Sequence, residues 1–256
     1  MRNILAIASR DIRAVFVSPI AYVVLTGFTL LAGWFFFNML GQFNRLASQY
    51  AMLQGMDTTW LNLNDAVIGP LFHNLLFVLM IVTPMITMRS FSEEKNQSTF
   101  ELLFTSPVRI GEMVLGKFVA SAFLVTLMVL LGFVFPGMLF VFGNPELGMT
   151  LAGMLALWLT ALAFVAVGNF TSALTSNQII ATISALVILL LLFVINWPAE
   201  GAGPTVAGVL GYLSVSAHFA KMAKGVIESA DIVYFLSLTC TFLFLTHRAV
   251  ESNRWK

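Results

Sequence analysis

The sequence predicts an all-α integral membrane protein, and three observations predict it. Hydrophobic residues make up 59% of the chain and the mean hydropathy is +0.92, against roughly 45–50% apolar usage in soluble domains. A soluble core of this length could not hide so much apolar surface. The apolar residues also run in segments close to the about 20 residues that a membrane-crossing helix needs. Finally, 24 Phe and 18 Gly suit helices that face lipid and also approach one another closely. One cysteine, Cys240, excludes an intrachain disulfide framework. A net charge of +1 points to neither nucleic acid nor an acidic partner.

The first element, residues 1–18, reads as an amphipathic helix lying along the membrane. At about 100° per residue, Ile4, Leu5, Ile7, Ala8, Ile12, Val15 and Phe16 share one half of the wheel. Arg2, Arg10 and Arg13 share the other, with Asp11 the misfit. Such a helix sits in the inner interface with its arginines toward anionic headgroups; a basic flank that only fixes topology is the alternative. A cleaved signal peptide would need a small-x-small site, and "WFFFNML" (Trp34–Leu40) is bulky.

Six spans follow, at about residues 20–40, 66–88, 113–142, 147–172, 178–197 and 231–250. The second holds no Asp, Glu, Lys or Arg, and neither does the stretch Leu147–Ala199. The polar break "TSALTSNQ" (Thr171–Gln178) divides that stretch into two spans. The last span is adequate if Arg248 snorkels to the interface. Between Trp197 and Asp231 a Gly/Pro-rich turn, "PAEGAGPTVAG", precedes "VLGYLSVSAHFAKMAKGVIES". Residues 200–230 therefore form an outer hairpin of short re-entrant helices packed on protein, because lipid would not tolerate their backbone. Tyr212, His218, Lys221 and Lys224 are its candidate gate residues, the lysines at headgroup level.

Orientation follows from Lys and Arg. With both termini cytoplasmic, the inside holds Arg2, Arg10, Arg13, Arg89, Lys95, Arg109, Lys117, Arg248, Arg254 and Lys256. The outside holds only Arg45, Lys221 and Lys224.

Two apparent catalytic motifs fail on chemistry. "GEMVLGKF" (Gly111–Phe118) misses the phosphate-binding loop at its last position, where Phe118 has no hydroxyl to hold magnesium. It also opens a membrane helix where that loop should follow a strand, so this chain is not expected to bind ATP itself. "GYLSVSAHF" places Ser214 and Ser216 near His218, as an intramembrane serine hydrolase would. A positioned base and an oxyanion hole are also required, and the sequence shows neither; His218 reads as a satisfied interfacial histidine. Three His, one Cys and no H-E-x-x-H give a metal site no support. Away from the span ends, His73 is the one Asp, Glu or His within the spans, and with Asn74 it reads as a polar contact between helices. Ion-coupled transporters usually carry Asp, Glu or His in the bilayer, so energy for transport would have to enter from outside it.

One charged stretch offers an entry point. Eight of the 29 residues from Arg89 to Lys117 are charged, in a chain that is 10% charged. "STFE" is a capping box in which Ser98 and Glu101 satisfy each other's amides. Phe100, Leu103 and Phe104 share one face of the short helix it starts. Pro107 ends that helix and takes the first position of a second one capped by Ser106, leading into the third span. Glu93, Glu94 and Glu101 would be repelled by anionic lipid, so a protein partner fits this cytoplasmic elbow better than a membrane surface.

"PMITMRSFSEEKNQSTFELLFTSPVRIGEMVLGKF" (Pro84–Phe118) resembles the signature region of ABC-2-type transporter permeases, the membrane subunits of one class of ATP-binding-cassette exporters. Pro84, Met88-Arg89, Glu94-Lys95, Thr99, Glu101-Leu102-Leu103, Pro107 and Gly116-Lys117 carry the match. "SALTSNQIIA" (Ser172–Ala181) is similar to that family's link between spans four and five. "KGVIESADIVYFLSLTCTFLFLT" (Lys224–Thr246) resembles the last span of the gliding-motility-associated subgroup. Gln97-Ser98 departs from the pattern, since relatives often carry Gly there. The resemblance implies a permease with no catalytic, cofactor or metal site of its own, in the bacterial inner membrane. It would work as a homodimer or with a paralogue, clamped on two copies of a separate ATPase that binds ATP and Mg2+, with an accessory extracytoplasmic subunit as a further partner. The ATPase-coupling residues would be Glu93, Glu94, Thr99, Phe100, Glu101, Leu103, Phe104, Pro107 and Arg109. A non-transporting anchor or sensor is the remaining alternative.

Overall fold

The computed structural model describes residues 2–52, 62–96, 109–198 and 203–253, and all regular structure among them is helical. Helices satisfy every interior backbone group within one segment, as lipid requires. In chain order they are α1 (Arg2–Val17), α2 (Pro19–Met52), a π-helical turn (Asn64–Ile68) running into α3 (Gly69–Thr87), and α4 (Arg89–Asn96). Then come α5 (Ile110–Phe142), α6 (Leu147–Leu174), α7 (Gln178–Val194), α8 (Pro204–Leu213), α9 (Val215–Ala223) and α10 (Ser229–Asn253).

Among the described residues, five stretches are long and apolar enough to cross a membrane: Pro19–Tyr50, Asn64–Asn96, Ile110–Phe142, Leu147–Leu174 and Ser229–Asn253. α7 is apolar but has 17 residues, about 25 Å at 1.5 Å per residue, against a hydrocarbon core of about 30 Å. Several boundaries differ from the sequence expectation. α2 continues well past Leu40, because "GQFNRLASQYAM" is polar without containing a helix-breaking proline. α5 begins at Ile110 rather than at Pro107, since Arg109 is extended (φ −74°, ψ 143°) and acts as its N-cap.

α6 is the axis of the bundle, packed against α3, α4, α5, α7, α9 and α10. Small residues allow it. A Cβ on Gly153 would collide with the ring of Phe72, and one on Gly168 with Thr87 Oγ1. The two pairs share one sequence offset, so α3 and α6 run parallel in a fixed register with the close backbone approach that small residues permit. Phe28, Phe72, Phe164, Phe219 and Phe235 fill the core around them.

The bundle has two distinct ends. At one, Ile7 of α1, Phe91 of α4, Met113 and Val114 of α5, Ala173 of α6 and Val250 of α10 form a small apolar cluster. The first and last helices therefore both reach this near end. At the far end, the Asn64 side chain holds the Glu146 backbone through both its atoms, at 3.1 and 3.2 Å, and His73 meets Phe219 edge-on. The turn at Gly225 (φ +87°) closes against Met149 there, in a backbone region that favours glycine. α7 links the ends, from Thr182 bonded to Met88 Sδ to Phe193, whose carbonyl accepts from Ser216.

Candidate functional site

The charged stretch does not stand free of the bundle. α4 follows α3 after a single residue, Met88, and lies on the end of α6. The amides in the first turn of a helix lack partners within it. Ser172 Oγ supplies one, accepting from Phe91 N (3.0 Å) and Ser92 N (3.1 Å) while donating to Met88 O at 2.8 Å. Lys95 Nζ donates to the carbonyl of Ala173 near the end of α6. Phe91 is fully buried between these contacts.

Lys117, two turns into α5, has a side chain only 3% exposed, and its Nζ lies 2.8 Å from Glu94 Oε1 and 3.5 Å from Asp11 Oδ2. It also donates to Ser90 O at 2.6 Å and sits 5.2 Å from the Phe91 ring centre. Arg10 closes the cluster, 3.0 Å from Glu94 and 2.8 Å from Asp11. Burial works against the Arg10 charge, and the two carboxylates outweigh it, raising its pKa above the ordinary value. Two cations and two anions thus compensate one another where an unpaired buried ion would be costly.

The neighbouring glycine explains why α1 can come so near. A Cβ on Gly116 would lie 2.8 Å from Ile7 Cβ and 3.2 Å from Ile4 O. The Gly-Lys pair of "GEMVLGKF" is a seat for α1. Asp11, the misfit on the wheel, is the residue that must turn toward α5. Arg2, Arg10 and Arg13 are all exposed, and Arg10 is in addition engaged with two carboxylates. At the start of α5, Glu112 Oε2 accepts from Arg109 N (3.2 Å) and from Asn3 Nδ2 (3.1 Å). That bond at the third helical position sets the N-cap at Arg109.

Both flanks of residues 97–108 are therefore pinned to the bundle. Thr99, Phe100, Glu101, Leu103, Phe104 and Pro107, with Ser98 and Ser106, lie outside the described residues. Glu93 is half-buried and the Arg109 residue is exposed. Glu94 lies against Lys117 and Arg10.

At the far end the gate candidates separate. Lys221 and Lys224 are exposed, Lys221 lying 3.7 Å from Glu228. His218 is buried; its Nε2 is 2.9 Å from Tyr212 O and its Nδ1 2.5 Å from Asp231 Oδ1. Ser214 Oγ caps α9 at Ala217 N and meets Ser216 Oγ at 2.9 Å, and Ser216 donates to Phe193 O. The His218 ring nitrogens are taken by Asp231 and the Tyr212 carbonyl and neither serine hydroxyl bonds to them, so the nucleophile–base contact that a hydrolase needs is not made. Asp231 and Tyr234 escaped the sequence reading, although an aspartate opening an apolar helix is a visible signal. Among the described residues no group of three His, Cys, Asp or Glu is placed to hold a metal.

No curated protein matches the chain. The model of a family described as ABC-2 family transporter protein matches residues 62–246, from just before the π-helical turn into α10 and well over half of the sequence. That region contains α4, Ser172, Lys117 and the far-end elbow, while α1 and α2 precede it. With five stretches among the described residues long and apolar enough to cross a membrane, this chain is a multi-pass membrane protein and belongs to the ABC-2 transporter family.

Proposed function

We propose that the chain is the permease subunit of an ATP-driven exporter in the bacterial inner membrane, energised by a separate ATPase. The carrying observation is the ion cluster of Arg10, Asp11, Glu94 and Lys117. It ties α1, α4 and α5 into one body at the flanks of residues 97–108, so a force on that segment is delivered to α6 and the core. Charged side chains this near lipid demand a reason, and force transfer from an outside motor supplies one.

In this reading ATP and Mg2+ bind two ATPase copies, and their closure is transmitted to the bundle through residues 97–108. The Phe100/Leu103/Phe104 face enters a groove on the ATPase, with Glu93 and Glu101 at the rim, and Thr99, Pro107 and Arg109 shape the segment. A second permease copy or paralogue completes the path, with an accessory extracytoplasmic subunit as a further partner. α7 is counted as a sixth crossing because it reaches from one end of the bundle to the other, which is consistent with both termini being cytoplasmic. α1 lies at the inner interface, with Arg2 and Arg13 free for headgroups. Residues 200–230 seal the outer end.

The test is purification of the tagged chain in mild detergent with an ABC ATPase in stoichiometric amount. Phe104→Ala should weaken that complex by about 2 kcal/mol or more if Phe104 is an interface hot spot, and ATP turnover should fall with it. Glu93→Gln should have a smaller effect that shrinks in high salt. Retention of the ATPase at full turnover in Phe104→Ala, with altered cargo preference, would place the segment on the path instead.

A further inference from the structure

The elbow between α8 and α9 is built around carbonyls that a helix end leaves without partners. α8 ends at Leu213 and Ser214 starts α9. Packed on membrane helices, those carbonyls need side-chain donors in place of water. Tyr212 O receives His218 Nε2–H at 2.9 Å, and Leu213 O receives the Tyr234 hydroxyl at 2.7 Å. One donor comes from α9 and the other from α10, and their rings stack at 4.1 Å. A carbonyl only accepts, so Nε2 must carry a hydrogen, and the ring's other nitrogen then faces Asp231. Asp231 is fully buried, and its Oδ2 has no hydrogen-bond partner among the described residues.

The two short helices are held very differently. α9 buries Val215, His218, Phe219 and Met222 against the bundle. α8 has no buried residue among those described, and Val206, Val209, Tyr212 and Leu213 are exposed on it. Its direction therefore depends on the elbow.

We infer that Asp231, His218 and Tyr234 form a latch that fixes the α8–α9 elbow on α10, so that α8 is carried as an arm by the last helix. Asp231 is a positioning residue: it orients the His218 ring toward Tyr212 O, and a neutral side chain of the same shape serves as well. In Asp231→Asn the new amide N–H can donate to Nδ1 while Nε2–H stays on the Tyr212 carbonyl. The latch goes beyond the transporter reading and does not depend on it, since no ATPase or cargo enters.

The test is the distance distribution between spin labels at Val206→Cys on α8 and Val233→Cys on α10, in the purified full chain in lipid nanodiscs and a Cys240→Ser background. The parent should give one narrow peak. Tyr234→Phe, which removes a single hydroxyl, should lose that peak for a broad distribution, and Asp231→Ala should do the same. Asp231→Asn should keep it. A narrow peak in Tyr234→Phe overturns the latch, whether or not Asp231→Ala folds. Broadening in Asp231→Asn equal to that in Asp231→Ala shows that charge holds the elbow, and overturns the positioning role.

Discussion

The near and far ends of this bundle both have to satisfy helix-terminal groups away from water, and they do so with different chemistry. The near end uses two cations and two carboxylates, with Arg10, Asp11 and Glu94 side chains 54%, 21% and 18% exposed around a Lys117 that is 3% exposed. The far end uses hydroxyls, carbonyls and one His–Asp pair, 6% and 0% exposed. A charged cluster that stays partly wet holds several helices together and can still respond to a partner. A closed hydrogen-bonded elbow fixes direction. The difference fits force entering at one end and a shaped exit at the other.

The sharpest way to break the comparison is to remove one charge from the near end. Lys117→Leu leaves Glu94 and Asp11 sharing the half-exposed Arg10 as their cation, and should lower stability by about 3 kcal/mol, the low end for a broken buried pair. Thermal unfolding in detergent measures it, and adding Glu94→Gln with Asp11→Asn should recover much of the loss, because the carboxylates then need no partner. A smaller loss, about 1–3 kcal/mol for overpacking, is expected for Gly116→Ala, whose new methyl meets Ile7 and the Ile4 carbonyl. Its unfolding midpoint should fall, and trypsin should cut after Arg10 or Arg13 sooner as α1 leaves its seat. At the far end Tyr234→Phe deletes one hydrogen bond and should cost about 1 kcal/mol in the same unfolding assay. The smallest effect belongs to Lys221→Gln. An exposed pair at 3.7 Å contributes about 0–1 kcal/mol, and the unfolding midpoint should stay within error.

Much of this was legible in the sequence, for identifiable reasons. Apolar runs and their polar breaks located the long helices, because a span's length is dictated by the bilayer. The 3.6-residue period placed Ile7 and Ala8 on the buried face of α1, whereas the turn expected over "PAEGAGPTVAG" does not reach past Gly203, because Pro204 takes the first position of α8 and Thr205–Gly208 continue it. What the pattern could not show were contacts between residues far apart in the chain. Asp11 read as an error on a helical wheel because its partner is more than a hundred residues away. Gly116-Lys117 read as a failed phosphate loop because local spacing says nothing of the α1 backbone lying on it. The expected start of a helix at Pro107 followed proline's preference, but Glu112 captured the Arg109 amide and moved the start to Ile110.

The proposed grip of an ATPase on residues 97–108 is tested most directly by a photo-crosslinker in place of Phe104. Irradiated in intact cells, it should join this chain to an ABC ATPase, and the product should diminish when Lys117→Leu releases the flanks of the segment. Crosslinks confined to lipid or to this chain's own spans, with no ATPase product under any nucleotide condition, would contradict the account.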